Sequence, residues 1–215
     1  HGVPSPKIYF DFLHFYEKTK NVEIQQHRSR SKKYGWGIDL GALNYIQTIF
    51  SKYSVDDNSL EAHLWQNVFF SDFCIRDSCY SCPYTTMKKP AEYTIGDFWG
   101  VENFFPNHNF SEGCSLVITK NANAQKLLNN ITNLEVNKED IQCVISKQAR
   151  LIKPIKCPKN REQFWQDYHK NGFACVAKKY FNYTSKSKKY IKIYNLLLLF
   201  KFYKLADKIS KSIFY

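Results

Sequence analysis

The sequence predicts an α/β or α+β protein: a mixed sheet with flanking helices, followed by a basic helical C-terminal appendage. Three observations point there. Apolar residues recur at helical spacing behind clear helix starts, short β-forming runs lie between those segments, and the last third turns abruptly lysine-rich. With 215 residues the chain is long enough for one domain with its own core. The expected division is a domain over residues 1–155 and a basic helical region over 156–215.

Ser5-Pro6 opens the first helix, serine as N-cap and proline at the first helical position. Ile8, Tyr9, Phe12, Phe15 and Tyr16 then recur at helical spacing to about Lys18. Val22 to Gln26 reads as a strand. Arg28 to Lys33 is a basic run that Gly35-Trp36-Gly37 closes. Leu43 to Phe50 is rich in β-formers, with Leu43, Tyr45, Gln47 and Ile49 on one face. Asn58 and Glu61 have capping-box spacing ahead of a helix marked by Leu60, Leu64, Val68 and Phe69. A strand near Tyr93 to Ile95, a polar loop over Asn103 to Gly113 and a strand at Ser115 to Thr119 come next. A helix over about Ala122 to Asn133 should turn Leu127, Leu128 and Ile131 inward. Asn160 with Gln163 should cap another helix, which Gly172 ends.

Charge is unevenly placed. Residues 1–149 hold 15 Lys+Arg against 16 Asp+Glu, and residues 150–215 hold 16 against 3, so the last third carries a net +13. A solvated face is the ordinary reading of such a run; contact with anionic lipid or an acidic partner is the sharper one. Leu196 to Phe200 is apolar, but lysines flank it closely and nothing approaches the ~20 apolar residues of a bilayer span. The allowed readings are an amphipathic helix lying on a surface, protein or membrane, or packing against a missing half of this protein. Seven cysteines, an odd number, argue against a disulfide scaffold and for a reducing, cytoplasmic setting. No glycine-rich dinucleotide or phosphate loop is present, and none of the six histidines forms a two-histidine metal motif. Nucleic acid is not among the expected partners.

The chemistry-bearing stretch runs from Phe73 to Gly100. Cys79 and Cys82 have the two-residue spacing that brings two thiolates to one metal centre, and Pro83 follows directly. Two structural thiols in a turn are the bland alternative. Spacing alone does not separate zinc from an iron–sulfur cluster. Cys74 is a local third thiol, read as a core residue. Cys157 and Cys175 sit in the basic helical region, away from the motif. Gly96-Asp97-Phe98-Trp99-Gly100 ends a short apolar run, and glycines at both ends suggest backbone held close to something else. It reads either as a strand-end turn with core aromatics or as a wall beside a ring system. The basic run with Arg28, Arg30, Lys32 and Lys33 reads as a solvated hairpin, or as a contact for phosphates or carboxylates.

Three segments also carry a resemblance: His1-Gly2-Val3-Pro4-Ser5-Pro6, Ser78-Cys79-Tyr80-Ser81-Cys82 and Ile95-Gly96-Asp97-Phe98-Trp99-Gly100. In this order they resemble the C-terminal domain of the coenzyme F420 hydrogenase and dehydrogenase beta subunit family. The likeness covers about residues 1–120 well and 157–181 loosely. Family members carry a cysteine just before the first segment, so the resemblance implies a fragment lacking the N-terminal part. It implies a [4Fe-4S] cluster with Cys79 and Cys82 among its ligands and the rest supplied from upstream. It implies FAD near Gly96, Asp97 and Trp99, and a cofactor contact at Arg28 and Lys33, which with Gly35 and Trp36 fit the family's arginine-lysine-glycine-tryptophan pattern. Lys89 stands where a family arginine is expected, which weakens a phosphate role there.

The function expected is that of an iron–sulfur flavoprotein oxidoreductase module passing electrons between cluster and flavin, with this chain alone inactive. Coenzyme F420 is a further candidate cofactor, and a redox protein or small molecule the expected partner. The alternative is a zinc-stabilised, non-enzymatic interaction module with a basic tail, built on Cys74, Cys79, Cys82 and Cys114 or His108. The basic C-terminus is a candidate for peripheral membrane contact.

Overall fold

The structure is a computed structural model, and it describes residues 2–31, 47–146 and 148–214. It is a mixed α and β protein with helices flanking small sheets. Helix α1 spans Pro6–Lys20 and buries Ile8, Phe12 and Tyr16, as its spacing requires. Its C-cap Asn21 takes the left-handed conformation, with φ 53°. Strand β1, Ile24–Arg28, pairs antiparallel with β2, Thr48–Ser51, which pairs antiparallel with β3, Val55–Asp56. Leu43 and Tyr45 lie outside the described residues, as do Lys32, Lys33, Gly35 and Trp36; Gln47 and Ile49 are buried.

Helix α2, Leu60–Phe70, is buried along most of its length. Its cap differs from the expected box. Ser59, not Asn58, is the N-cap, accepting the Ala62 N–H at 3.1 Å. Glu61 faces inward instead, where Tyr183 donates to it at 2.8 Å and Lys20 and Lys188 pair with it at 3.3 and 3.2 Å. A buried carboxylate with three partners keeps its charge, so it ties helices together rather than closing a cap.

After the cysteine segment, β4, Tyr93–Asp97, pairs antiparallel with β5, Ser115–Thr119. The described strands thus form two separate antiparallel sheets, not one mixed sheet. Helix α3, Ala122–Asn129, is shorter than expected and buries Ala124. Leu127 and Ile131, expected inside, are 64% and 54% exposed. Helix α3 packs on β5 with Ala124 buried, and of the three residues expected inside only Leu128, which lines the adjoining cleft, is half-buried. Helix α4, Ile141–Ile145, adds Val144 to a small core with Phe98 and Val101.

Helix α5 covers Arg161–Tyr180, but Gly172, at φ 72° and ψ −178°, divides it, so the expected stop is real and the chain restarts as a second helical segment. Asn160 precedes it without a side-chain cap bond. Helices α6, Ser185–Leu199, and α7, Tyr203–Phe214, follow. They are not an appendage. Ile191, Tyr194, Leu198, Ala206 and Ile213 belong to the main core together with Ile8, Phe12, Leu64, Val68, Phe164 and Phe181. The division expected at residues 155 and 156 therefore does not coincide with the division between the two cores.

Candidate functional site

The chain start and the cysteine segment are laid side by side. Pro4 bridges Ile75 in antiparallel fashion, Ser5 donates its N–H to the Cys74 carbonyl at 2.7 Å, and Arg76 donates to the Val3 carbonyl at 2.9 Å. Gly2 is required there: a Cβ would lie 2.6 Å from Ile75 Cδ1. This short ladder aims the Val3 N–H at the Cys79 sulfur, 3.3 Å away. His1 itself lies outside the described residues.

Cys79 closes a short 3-10 turn, Asp77–Cys79, and donates its N–H to Arg76 at 2.9 Å. Cys82 follows in the next turn, where its carbonyl accepts both the Thr85 N–H and the Thr85 hydroxyl. Both thiols are partly exposed, and no described cysteine is in a disulfide. Cys74 is different in kind. It is fully buried, its Sγ donates to the Val68 carbonyl at 3.4 Å, and burial pushes the thiol up to about 12. Buried, with its sulfur bonded to a backbone carbonyl, it is placed as a core residue. Cys114 borders the second core, and His108 stacks on Phe110. Among the described residues no three of His, Cys, Asp and Glu gather as a metal-binding group.

Arg161, which sequence reasoning missed, holds the cysteine segment in place. From the first turn of α5 it donates to the Ile75 carbonyl at 3.1 Å and to the Tyr80 hydroxyl at 2.9 Å, and pairs with Asp77 at 2.8 Å. It also lies over the Tyr80 and Trp165 rings. One signal was readable: a cation in the first turn opposes the helix dipole, so it needs outside partners. Tyr80 donates in turn to the Asp72 carbonyl at 2.5 Å. Burial raises its phenol to about 12, against the lowering effect of Arg161. Helix α5 docks on the cysteine segment through Arg161 and through Phe73 stacked on Phe164.

The second group forms around Asp97 and Trp99. Arg30 pairs with Asp97 at 2.7 Å and lies over the Trp99 ring. Gln148 donates to the Trp99 carbonyl at 3.1 Å. Arg28, at the end of β1, stands over the Phe50 ring of β2. Gly96 is exposed, and a Cβ there would meet nothing within 4 Å among the described residues. Gly100, by contrast, has φ 91° and ends the motif in a left-handed turn.

Side-chain alternation splits the motif. Asp97 and Trp99 face Arg30 and Gln148, while Thr94 and Phe98 line a cleft of about 910 Å3 on the other side. Phe105, Phe110 and Leu116 give the cleft apolar walls, and Lys89 and Lys138 stand on its border. Neither Cys79 nor Cys82 lines it, and neither do Arg30 or Asp97. The cleft is a feature of the β4–β5 pair and α4 that the sequence did not reveal.

No family model, curated protein or solved structure matches this chain.

Proposed function

We propose that this chain is part of an iron–sulfur flavoprotein oxidoreductase, resembling the beta subunit of coenzyme F420 hydrogenases and dehydrogenases. Cys79 and Cys82 would supply two thiolates to a [4Fe-4S] cluster, and the β4 segment would lie beside FAD. The observation that carries the reading is the Val3 N–H directed at the Cys79 sulfur, which brings two of the three motif segments to one point.

The donor set fits half of a cluster site. Cys79 and Cys82 are partly exposed thiols of the soft type that iron–sulfur clusters require, and the remaining ligands would come from outside this sequence. The Val3 amide would stabilise negative charge on the Cys79 sulfur, as hydrogen bonds to cluster thiolates do. Arg161 fixes the turn that carries Cys79 and keeps a positive charge beside it. The β4 region also fits an aromatic cofactor: a cleft of about 910 Å3 with apolar walls is within the size range of small-molecule sites. Phe98 would border a bound ring on that side, and Arg30 with Trp99 on the other. When bound, the cluster carries single electrons and the flavin pairs of them, so the cofactors supply the redox chemistry. The side chains position them and exclude water. Arg28 and Arg30 suit a phosphate or a carboxylate tail, including that of a deazaflavin substrate.

Anaerobic purification of the protein that carries this chain tests the reading. It should be brown, contain iron and sulfide, and release FAD on denaturation. Cys79→Ser and Cys82→Ser should each lose iron and electron transfer to the flavin, while Cys175→Ser should lose neither. A colourless protein with one bound zinc, or equal iron loss from all three variants, would overturn it.

A further inference from the structure

The hairpin of α6 and α7 has one face in the core and another turned fully outward. Tyr194 and Leu198 point inward, while Leu196 and Leu199 on the same helix and Phe200 at its C-cap are 54%, 74% and 62% exposed. The turn continues the apolar surface with Phe202 at 60%, and α7 extends it with Leu205 at 50%. These five side chains cluster at one end of the hairpin, where α6 ends and α7 begins. Exposed lysines surround them: Lys192 one turn before Leu196, Lys201 in the turn itself, and Lys204 and Lys208 on α7. Helix α6 contains no acidic residue, and α7 contains only Asp207.

An apolar tip with a cationic collar is chemically complementary to the surface of an anionic bilayer. Apolar side chains enter the acyl boundary while lysines remain among the headgroups, their stems lying along the apolar surface. A second copy of this chain is a poorer occupant. A two-fold contact would place the same patch on both sides and bring the two lysine collars together. No described helix is long and apolar enough to cross a membrane, so the contact would be interfacial. We infer that the α6–α7 tip docks this protein on anionic lipid surfaces, with Leu199, Phe200 and Phe202 inserted and Lys192, Lys201, Lys204 and Lys208 against the headgroups. This is independent of the redox reading, because it uses residues of the α6–α7 hairpin and none of the cysteine segment or β4.

Co-sedimentation of the full chain with vesicles decides it. Phosphatidylcholine vesicles containing phosphatidylglycerol should bind the protein, and phosphatidylcholine alone should bind it roughly tenfold less or worse. Molar salt shortens the Debye length from about 8 Å to about 3 Å and should release most of it. The double variant Leu199→Ser with Phe200→Ser should lose binding by roughly tenfold, and so should the fourfold Lys→Gln change at the collar. All of these positions are exposed, so the variants should keep the parent's circular dichroism and melting temperature. Lys126→Gln with Lys138→Gln, outside the hairpin, should bind as the parent does. Binding that is indifferent to lipid charge, or untouched by both hairpin variants, would overturn the inference. So would a dimer that the Leu199 and Phe200 changes dissolve in protein that ignores vesicles, since the tip would then belong to a second copy.

Discussion

Arg161 and His63 show how much one side chain can decide. Arg161 makes three hydrogen-bonded or ionic contacts to the segment around Cys79 from a partly buried position, whereas its partner Asp77 is 84% exposed. Most of its worth therefore lies in the Ile75 carbonyl and the Tyr80 hydroxyl, not in the ion pair. Arg161→Ala should cost about 2–3 kcal/mol by urea denaturation, and Arg161→Lys should recover only part, since an ammonium lacks the fork that spans these groups. Gly2→Ala should act at the same place by pressing Ile75; a faster reaction of Cys79 with a thiol reagent would report the loosened Val3 contact. His63 is wholly buried, with Nε2 donating to the Asp57 carbonyl at 3.0 Å and Nδ1 facing the Gln47 N–H. Burial pushes the imidazole down to about 4, against weaker raising effects of the Asp57 carbonyl and the Asp56 and Asp57 charges. The unfolded chain takes up that proton near pH 6.5 and the folded chain does not, so stability should fall as pH drops from about 6.5 to about 4 and then flatten. The loss attributable to His63 is about 3 kcal/mol, and His63→Asn should remove that slope from the pH series. Asp56 and Glu61 act in a different window. Burial alone would raise both, but the hydroxyls of Ser59 and Tyr16 hold Asp56 down, and Tyr183 and Lys20 hold Glu61 down. Their contribution is present above the ordinary carboxylate range and is lost only below it.

At the scale of elements, what the sequence revealed depended on how many neighbours an element has. Helix α1 was legible because its apolar residues Ile8, Phe12 and Tyr16 recur at helical spacing on the face that is buried, so period and burial agree, and strand β5 because its run of β-formers is short and bounded. Helix α3 has the same amphipathic pattern, yet Leu127 and Ile131 face outward, because a pattern marks an apolar face without showing that anything covers it. The cysteine turn was legible from spacing, while its anchor was not, since Arg161 lies more than eighty residues away in the chain. Likewise Gly96 to Gly100 was visible as a motif, but its division between the Arg30 face and the cleft follows from strand pairing. That division is testable. Phe98 is 5% exposed in the small core with Val101 and Val144, and Phe98→Ala should cost about 3 kcal/mol or more. Asp97→Asn, removing a half-exposed ion pair one residue away, should cost no more than about 1 kcal/mol. Comparable losses from both in denaturant titrations would mean that the two faces are not separate.

For the whole molecule, the decisive fact is that the lysine-rich end completes the main core. Composition set residues 150–215 apart, because charge dominates any count made over a window, and the apolar stripe inside that window is narrow. The stripe nonetheless places Ile191, Tyr194, Leu198, Ala206 and Ile213 against α1, α2 and α5. Asn67, on α2, donates to the carbonyls of Phe181 and Ile213 at 2.8 and 3.1 Å, so the last helix is also tied by hydrogen bonds to the middle of the fold. Each buried apolar side chain contributes about 1.5–3 kcal/mol, and the net stability of a domain is only about 5–15 kcal/mol. Losing five such residues, and uncovering Asn67 and Glu61 as well, exceeds that margin. A chain ending at Phe181 should therefore show no cooperative melting transition and no stable near-ultraviolet circular dichroism. Single substitutions refine the point without truncation. Tyr194→Ala, at a position 1% exposed, should lower stability by about 3–5 kcal/mol, whereas Leu199→Ala on the outer face of the same helix should change it by less than about 0.5 kcal/mol. If the truncated chain melts cooperatively, or if the two substitutions cost the same, α6 and α7 are a separable appendage and the core closes without them.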